Sequence, residues 1–209
     1  MLPTSFVPVP SPITSVWLWY WRHGAVDFYA SLLSADERHR LHRFGSPQRQ
    51  RQFICGRGGL RLLLSHYSER SPQELELAYS LSGKPILANS PWHFNLSHTD
   101  NLILCAIAAG VSVGIDVEYG LRSCSMEPIL RRWAEQESYR AWQKLSPRQQ
   151  QSEFWRWWTQ KEAIAKAVGT GIWARQTLDI PHQTATFTLF THYIVSVCAV
   201  SPNFPNFLG

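Results

Sequence analysis

The feature that most constrains the fold is a repeated order of expected elements. A strand, a helix with a capping box, a second helix that begins with Ser-Pro and a group of strands recur after 100 residues. This shift aligns Glu37 with Glu137 and Ser46-Pro47 with Ser146-Pro147. We therefore predict an α+β fold of two similar α/β halves related by a pseudo-two-fold axis. A ligand cleft, and hence the active site, is expected at the interface of the halves.

Local patterns set the bounds of these elements. Ser34 and Glu37 have the spacing of a capping box, so we expect a helix from there toward Phe44. Ser46-Pro47 should open a helix to about Tyr67, because a hydroxyl can cap free amides and proline loses no hydrogen bond at the first helical position. The other expected elements are strands over 16–21, 76–81, 94–97, 102–108 and 113–118, helices over 127–145 and 146–169, and a β-hairpin over 184–200.

Composition favours one globular body. With 209 residues, 44% of them hydrophobic and 17% charged, the chain can build a core without disulfides or metals. The longest apolar or small stretch, 102–111, is half of the roughly 20 residues that a membrane helix needs. The amino terminus lacks the pattern of a signal peptide, so we expect a cytoplasmic protein with no membrane partner. We divide it into a Pro-rich lead over 1–15, an N-terminal α+β half over 16–108 and a C-terminal half over 109–209.

The cysteines and the net charge narrow the function classes only slightly. The four cysteines have neither Cys-x-x-Cys spacing nor nearby histidines, which favours reduced, mostly buried thiols over a metal or redox site. The net charge of +5 favours anionic partners such as phosphates, nucleic acid or an acidic protein. Many globular proteins carry such a charge without an anionic ligand, and composition alone leaves both alternatives open.

The hexapeptide VGIDVE at 113–118 places two acids on one side of an expected strand. The strand period of two sends Val113, Ile115 and Val117 to one face, with Asp116 and Glu118 on the other. Two carboxylates that close repel each other unless a cation lies between them, and oxygen ligands suit Mg²⁺. A solvated polar strand face is the alternative.

A second group of charges lies in the long helix that begins at Ser146. Glu162 and Lys166 are four residues apart and therefore share one helix face. Taken alone, this spacing favours a weak surface ion pair. The dense tryptophans at 155, 157 and 158 indicate instead that much of the helix is buried, where charged side chains need a partner or an ion.

Three further features offer donors to an anion. Lys84 lies in a Gly-Lys-Pro turn, and Ser97-His98 lies at the end of an expected strand. Arg57 and Arg61 are one turn apart on the helix that begins at Ser46 and could add positive charge. Taken alone, each feature is weak, because a lone turn lysine is more often solvated and two arginines one turn apart more often form an exposed polar face.

Taken in chain order, the motifs resemble a known family. GKP at 83–85, FNLSHT at 94–99, VGIDVE at 113–118 and WTQKEAIAKAVGTG at 158–171 resemble those of the 4′-phosphopantetheinyl transferases, specifically the Sfp-like group. The resemblance implies transfer of 4′-phosphopantetheine from coenzyme A to a serine of an apo acyl or peptidyl carrier protein, with release of 3′,5′-ADP. Such carriers serve fatty-acid, polyketide or nonribosomal peptide synthesis. It also implies a monomer with coenzyme A bound between two similar halves.

The resemblance further implies roles for the acidic residues. Asp116, Glu118 and Glu162 are expected to bind Mg²⁺, which places the metal site in the C-terminal half. Asp116, Glu162 and Lys166 are expected to be catalytic, with Lys166 beside the pyrophosphate of the coenzyme. The base for the carrier serine is either Glu162 or a water that it holds.

The same resemblance implies the contacts of coenzyme A. Lys84, Ser97 and His98 match coenzyme-binding positions, and His98 is expected near the 3′-phosphate of the adenosine. Arg57 is a looser match on the helix that begins at Ser46. Thr99 stands where the family usually has serine after the histidine, which leaves that one contact open.

Two other function classes fit parts of the pattern. A Mg²⁺-dependent nuclease or phosphohydrolase would use the same acidic trio with water as the nucleophile, and it would not bind coenzyme A. A non-catalytic nucleic-acid-binding module would show a stripe of basic residues interleaved with exposed aromatics. The basic residues here are scattered, and tryptophans occur where periodicity predicts burial, so we expect no nucleic-acid partner.

Overall fold

Two β-sheets pack against each other between two long helices in the computed structural model, which describes residues 6–7, 15–20, 26–80, 82–172 and 181–200. The strands are β1 (Phe6–Val7), β2 (Ser15–Tyr20), β3 (Leu77–Tyr79), β4 (Pro85–Leu87), β5 (Trp92–Thr99), β6 (Leu102–Ala109), β7 (Val113–Tyr119), β8 (His182–Leu189) and β9 (Tyr193–Val200). The helices are α1 (Val26–Ser31), α2 (Ala35–Leu41), α3 (Pro47–Ser68), α4 (Met126–Trp133), α5 (Gln136–Gln143) and α6 (Pro147–Val168).

The described residues form three sheets, and all three are antiparallel. The first has the order β1-β2-β6-β5, the second has the order β7-β9-β8, and β3 pairs with β4 in a small ribbon. The register places Asn95 of β5 opposite Ala106 of β6, and Asp116 of β7 opposite Ser196 of β9. The mixed α/β architecture that the sequence predicts is therefore observed.

The strand period of two distributes β7 between two layers, as predicted. Val113, Ile115 and Val117 are buried in the cluster that joins the two large sheets. On the opposite face, a Cβ built at Gly114 would overlap the carbonyl oxygen of Ala163 in α6. Helix α6 therefore lies directly on the backbone of β7, an approach that only a residue without a side chain permits.

Helix boundaries follow the capping signals. The Ser34–Glu37 capping box that opens α2 is confirmed, because each residue's side chain accepts a hydrogen bond from the backbone N–H of the other. Ser146 opens α6 with a similar box. Ser46 precedes α3 but makes no side-chain cap, contrary to the expectation. Pro47 at the first helical position has no N–H, so the start of α3 leaves one fewer amide without a partner.

The helix predicted over 127–145 is two helices, which corrects that expectation. The backbone is extended at Ala134 and Glu135, which separates α4 from α5. The break lets both helices pack on α6: Leu130 joins the buried cluster around Phe154, and Trp142 Nε1 donates to the carbonyl of Gln150 at 2.8 Å.

A buried ion pair anchors α3. Arg61 is 1% exposed, and its Nε donates to Glu37 Oε2 at 2.6 Å. Its Nη1 donates to the carbonyls of Pro72 and Leu75. Arg61 is therefore enclosed by acceptors and does not belong to an exposed polar face.

The structure also bears on the expectations for the cysteines, the strand ends and membrane helices. All four cysteines are free thiols, and three of them are buried, as predicted. The ends of two expected strands, Trp21 and Leu81, lie outside the described residues. None of the helices in the described ranges is both long enough and apolar enough to cross a bilayer.

Candidate functional site

The site forms where the acidic strand β7 meets α6. Lys166 Nζ lies 2.6 Å from Asp116 Oδ1, and Ser97 Oγ donates to the same oxygen at 2.9 Å. Lys166 Nζ is also 3.4 Å from Ser97 Oγ. Asp116 is 5% exposed, and a buried carboxylate is costly unless it is paired and hydrogen-bonded. The three side chains thus form one charge-assisted network.

Only one oxygen of the Asp116 carboxylate takes part in this network. Asp116 Oδ2 is buried and makes no hydrogen bond with any described residue. An ionised carboxylate offers about four lone-pair sites, so Oδ2 has unused capacity for a cation or a hydrogen-bond donor. Glu37 Oε1, in a closed ion pair, is also buried without a partner among the described residues, so Asp116 Oδ2 indicates a ligand site only together with the partly exposed Lys166 beside it.

Glu118 and Glu162 lie near enough to Asp116 for its charge to affect the pKa of each. Burial raises the pKa of Glu118 to about 7, and the Asp116 charge contributes in the same direction. Burial also raises the pKa of Glu162; Lys166 opposes that rise, whereas Asp116 adds to it. Burial is thus the larger cause of both pKa shifts, and repulsion from Asp116 adds to each of them.

The donor chemistry of these acids fits a hard cation, although a complete cage is not formed. Among the described residues, no three His, Cys, Asp or Glu side chains are grouped so that they could hold a metal ion. Mg²⁺ commonly takes only one or two carboxylates and completes its shell with water and substrate phosphates. Asp116 Oδ2 and the mutual repulsion of the acids therefore fit Mg²⁺, with phosphate oxygens supplying the remaining ligands.

Arg122 is a site neighbour that the sequence analysis missed. Its guanidinium donates to Glu118 Oε2 at 3.1 Å and to Thr99 Oγ1 at 3.0 Å, and it lies 3.5 Å from Asp100. It therefore ties Glu118 to the turn between β5 and β6. The spacing of four residues between Glu118 and Arg122 was available as a signal, but it is meaningful in a helix and not at the end of a strand.

The two large sheets meet through side chains of β5. The N–H of Ile115 donates to Asn95 Oδ1 at 2.9 Å, and the N–H of Val117 donates to Ser97 Oγ at 3.2 Å. These bonds satisfy edge amides of β7 that its partner β9 does not reach. Asn95 was not singled out from the sequence, although its spacing of two from Ser97 places both side chains on one face.

Ser97 and His98 point to opposite sides of β5, because they are adjacent in a strand. Ser97 faces β7, whereas His98 Nδ1 lies 2.8 Å from Nε2 of Gln52 in α3. Burial, followed by the Lys166 charge, lowers the pKa of His98, which favours the neutral ring. The pair therefore does not act as one unit, and the contact of each residue with a coenzyme stays a prediction.

Lys84 reaches the carboxyl-terminal end of α6. Its ammonium lies 2.8 Å from Lys166 O, 3.0 Å from Val113 O and 3.2 Å from Ser112 Oγ. Burial lowers the pKa of Lys84 to about 8. The structure thus brings Lys84 to the backbone of the site, and the expected contact with a coenzyme stays a prediction.

Arg57 lies away from the acidic network, among aromatic rings. Its guanidinium packs over Phe53 and over Tyr79, and the guanidinium of Arg40 packs over the same Tyr79 ring. Burial lowers the pKa of Arg57, and its Nη1 is buried without a hydrogen-bond partner among the described residues. Two cations beside one ring, one of them with an unused donor, fit an anionic ligand.

Two family models match the chain. Residues 18–110 match the model described as 4′-phosphopantetheinyl transferase, N-terminal. Residues 112–198 match the model described as 4′-phosphopantetheinyl transferase superfamily. The boundary between the matches lies between β6 and β7. These two strands are consecutive in the chain, and each belongs to a different large sheet.

Several curated proteins are similar to the chain. The 4′-phosphopantetheinyl transferase HetI of Nostoc sp. is 39% identical over 155 residues, which cover 72% of this chain and 65% of HetI. The chain thus spans slightly less than two thirds of that relative. The 4′-phosphopantetheinyl transferase AcpT of Escherichia coli is 31% identical over 66% of this chain and 68% of AcpT. The 4′-phosphopantetheinyl transferase Sfp of Bacillus subtilis is 23% identical over 85% of this chain and 86% of Sfp.

Proposed function

The chain belongs to the 4′-phosphopantetheinyl transferase superfamily, and on that basis we propose that it transfers 4′-phosphopantetheine from coenzyme A to a serine of an apo acyl or peptidyl carrier protein. The observation that carries this proposal is the Asp116–Lys166 pair between β7 and α6, in which no described residue bonds to Asp116 Oδ2. A buried anion and a partly exposed cation in one network suit a reaction between a hydroxyl and a pyrophosphate.

The bond changes of this reaction are simple. The carrier serine oxygen bonds to the β-phosphorus of coenzyme A, the bond from that phosphorus to the bridging oxygen breaks, and 3′,5′-ADP leaves. Lys166 stabilises the charge that builds on the departing phosphate, since its side chain is 29% exposed and accessible to substrate. The serine proton passes to Glu162 or to a water that Glu162 holds.

Asp116, Glu118 and Glu162 are the residues that would hold Mg²⁺. When bound, the ion supplies positive charge that orients the pyrophosphate and screens it from the incoming oxygen. Ser97 keeps Asp116 Oδ1 engaged at 2.9 Å, which leaves Oδ2 as the free oxygen. Arg122 keeps Glu118 oriented at the edge of the site.

The coenzyme contacts follow from the donors that remain unused. Arg57 has a buried nitrogen without a partner in the part of the chain that the structure describes, and Arg40 adds a second positive charge beside Tyr79. We assign Arg57 and His98 to the adenosine end of coenzyme A, with His98 near the 3′-phosphate. Lys84 and Ser97 belong to the same predicted set, but their polar atoms already have partners within the protein.

The finer organisation is part of the proposal. We place the chain in the Sfp-like group, as a monomer whose halves are related by a pseudo-two-fold axis and enclose coenzyme A between them. The helices α3 and α6 support this arrangement, because both are 22 residues long and both begin with Pro after Ser. The similarity to Sfp over 86% of its length supports the placement in the Sfp-like group.

The decisive experiment incubates the protein with coenzyme A, Mg²⁺ and an apo carrier domain, and then determines the mass of the carrier. We expect one phosphopantetheine adduct, and none on a carrier whose acceptor serine is replaced by alanine. Removal of divalent ions with a chelator should stop transfer, and added Mg²⁺ should restore it.

Two results would contradict the proposal. One is the absence of an adduct on each of several acyl and peptidyl carriers. The other is release of 3′,5′-ADP from coenzyme A at the same rate without a carrier, which would indicate a phosphohydrolase that uses water as the nucleophile.

A further inference from the structure

The carboxyl-terminal end of α6 is held from outside the helix. The last carbonyls of any helix lack intrahelical donors. Gly169, at φ 80°, ends α6, and the N–H groups of Gly169 and Thr170 both bond to Ala165 O. The next two carbonyls accept from other elements: Lys84 Nζ donates to Lys166 O at 2.8 Å, and Ser112 Oγ donates to Ala167 O at 2.5 Å.

Lys84 reaches this helix from a turn that is itself fixed. The turn joins β3 to β4 and passes through Gly83 at φ 79°. The N–H of Lys84 donates to Ser80 Oγ at 3.1 Å, and the N–H of Ser80 donates to Lys84 O at 2.9 Å. The base of the Lys84 side chain is therefore anchored, and its ammonium is favourably placed at the negative end of the α6 dipole.

The structure assigns Lys84 the role of a positioning residue: it holds the last turn of α6 on β7, so that the Lys166 ammonium meets Asp116. This role rests on the proposed function, because Asp116 and Lys166 belong to the proposed catalytic network. Lys166 links the two contacts, since its carbonyl oxygen accepts from Lys84 and its own ammonium lies 2.6 Å from Asp116.

The position of α6 is bounded from both sides. A closer approach to β7 is prevented at Gly114, where the helix backbone already leaves no space for a Cβ. Withdrawal is opposed by Lys84, which also donates to Val113 O in β7 at 3.0 Å and so bridges strand and helix. A shift of about 1 Å would take a 2.6 Å contact beyond hydrogen-bond distance, so this bridge controls the catalytic pair.

The donors of Lys84 are used in this bridge. An ammonium has three N–H groups. Four oxygens lie within 3.4 Å of Lys84 Nζ, namely Lys166 O, Val113 O, Ser112 Oγ and Ala167 O. A phosphate of the coenzyme would have to displace one of them. Positioning therefore explains the observed contacts, whereas a direct phosphate contact does not.

The kinetic test compares Lys84→Met with Lys144→Met. Lys144 is an exposed lysine at the carboxyl-terminal cap of α5, so the same change there removes charge at a helix end without touching the site. We expect Lys84→Met to lower kcat about 10- to 100-fold, the usual range for groups that orient a catalytic residue, with KM for coenzyme A unchanged. Lys144→Met should leave both constants as in the parent protein. Rates are measured well below Tm on protein shown to be folded by circular dichroism.

A second measurement does not depend on activity. Amide hydrogen exchange in the last turn of α6 should accelerate in Lys84→Met, whereas exchange at the end of α3 should not change. Ser112→Ala, which removes the donor to Ala167 O, should give the same pattern at smaller size and serves if Lys84→Met does not fold. Unchanged exchange in α6 would overturn the role of Lys84 in holding the helix.

The remaining outcomes separate this inference from the proposed function. A rise in KM for coenzyme A with kcat retained would make Lys84 a substrate contact and overturn the positioning role. Faster exchange with unchanged kcat would also overturn it and leave only a structural bond. If the parent protein transfers nothing, the proposed function fails, and the exchange measurement still decides whether Lys84 holds α6.

Discussion

Helices α3 and α6 are built alike but use their charges differently. Each has 22 residues, begins with proline and packs on one of the two large sheets. In α3, Arg61 is 1% exposed and is enclosed by Glu37 and two carbonyls. In α6, the Lys166 side chain is 29% exposed. Glu37 Oε1 and Asp116 Oδ2 both lack a hydrogen-bond partner among the described residues, so the accessible cation is what distinguishes the two pairs.

The difference shows that an ion pair on a long helix can either stabilise the fold or provide reactive groups. The α3 pair is closed to solvent on both sides and contributes to the fold. The α6 pair keeps its cation accessible to solvent, which leaves a charged group that a substrate can engage. Removal of a charge should therefore lower mainly the free energy of unfolding at the α3 pair and mainly the rate of transfer at the α6 pair.

The largest expected effect is on stability, from Arg61→Met in α3. This change leaves Glu37 buried without its partner and should lower the free energy of unfolding by about 3–5 kcal/mol. Urea denaturation measures the loss, with Arg49→Met, an exposed residue on the same helix, as the control. The double variant Arg61→Met/Glu37→Leu should recover much of the loss, because no buried charge remains. A loss below about 1 kcal/mol in the single variant would show that the pair is not effectively enclosed.

The next effect is on catalysis, from Asp116→Ala at the α6 pair. Transfer should fall by roughly 10²–10³-fold, the usual cost of removing a group that stabilises charge in the transition state. Stability should change little, because Lys166 is partly exposed and can be hydrated after its partner is removed. Turnover and thermal unfolding are measured on the same preparation, with Asp27→Ala, an exposed residue of α1, as the matched control. Near-parent turnover would remove Asp116 from the proposed mechanism.

The smallest of the three effects is expected from alanine at two glycines that lie against other backbone or side-chain atoms. A Cβ at Gly58 of α3 would lie 2.5 Å from Tyr29 O, and one at Gly114 would overlap Ala163 O beneath α6. Each glycine-to-alanine change should cost about 1–3 kcal/mol through overpacking. Only Gly114→Ala should also lower kcat, since it displaces the helix that carries Lys166. Denaturation and steady-state kinetics on both variants make the comparison, and equal losses of kcat would contradict it.

Elements governed by local rules were predictable from the sequence. The capping boxes at Ser34 and Ser146 depend on residues three positions apart, and the two faces of β7 follow from strand geometry alone. The motifs marked β7 and α6 as elements of the site, but the resemblance implied a cation between the acids and not a direct contact between Asp116 and Lys166.

Features that depend on packing between distant elements were not predictable. The break at Ala134 exists because α4 and α5 both pack on α6, which no local pattern records. The destination of the Lys84 ammonium is set by the carbonyls at the end of a helix about 80 residues later. Arg122 lies beyond the strand motif, and its contacts cross a turn between other strands.

The side-chain bonds from Asn95 and Ser97 to β7 have a genetic consequence. A ladder between backbones survives almost any exchange of side chains, because every residue except proline carries the same N–H and C=O groups. Besides the hydrophobic cluster between the two large sheets, β5 bonds to the β7 backbone through two side-chain oxygens. A single codon change at either position removes a bond between the sheets, so this chain should tolerate less variation there than the small size of the two residues would indicate.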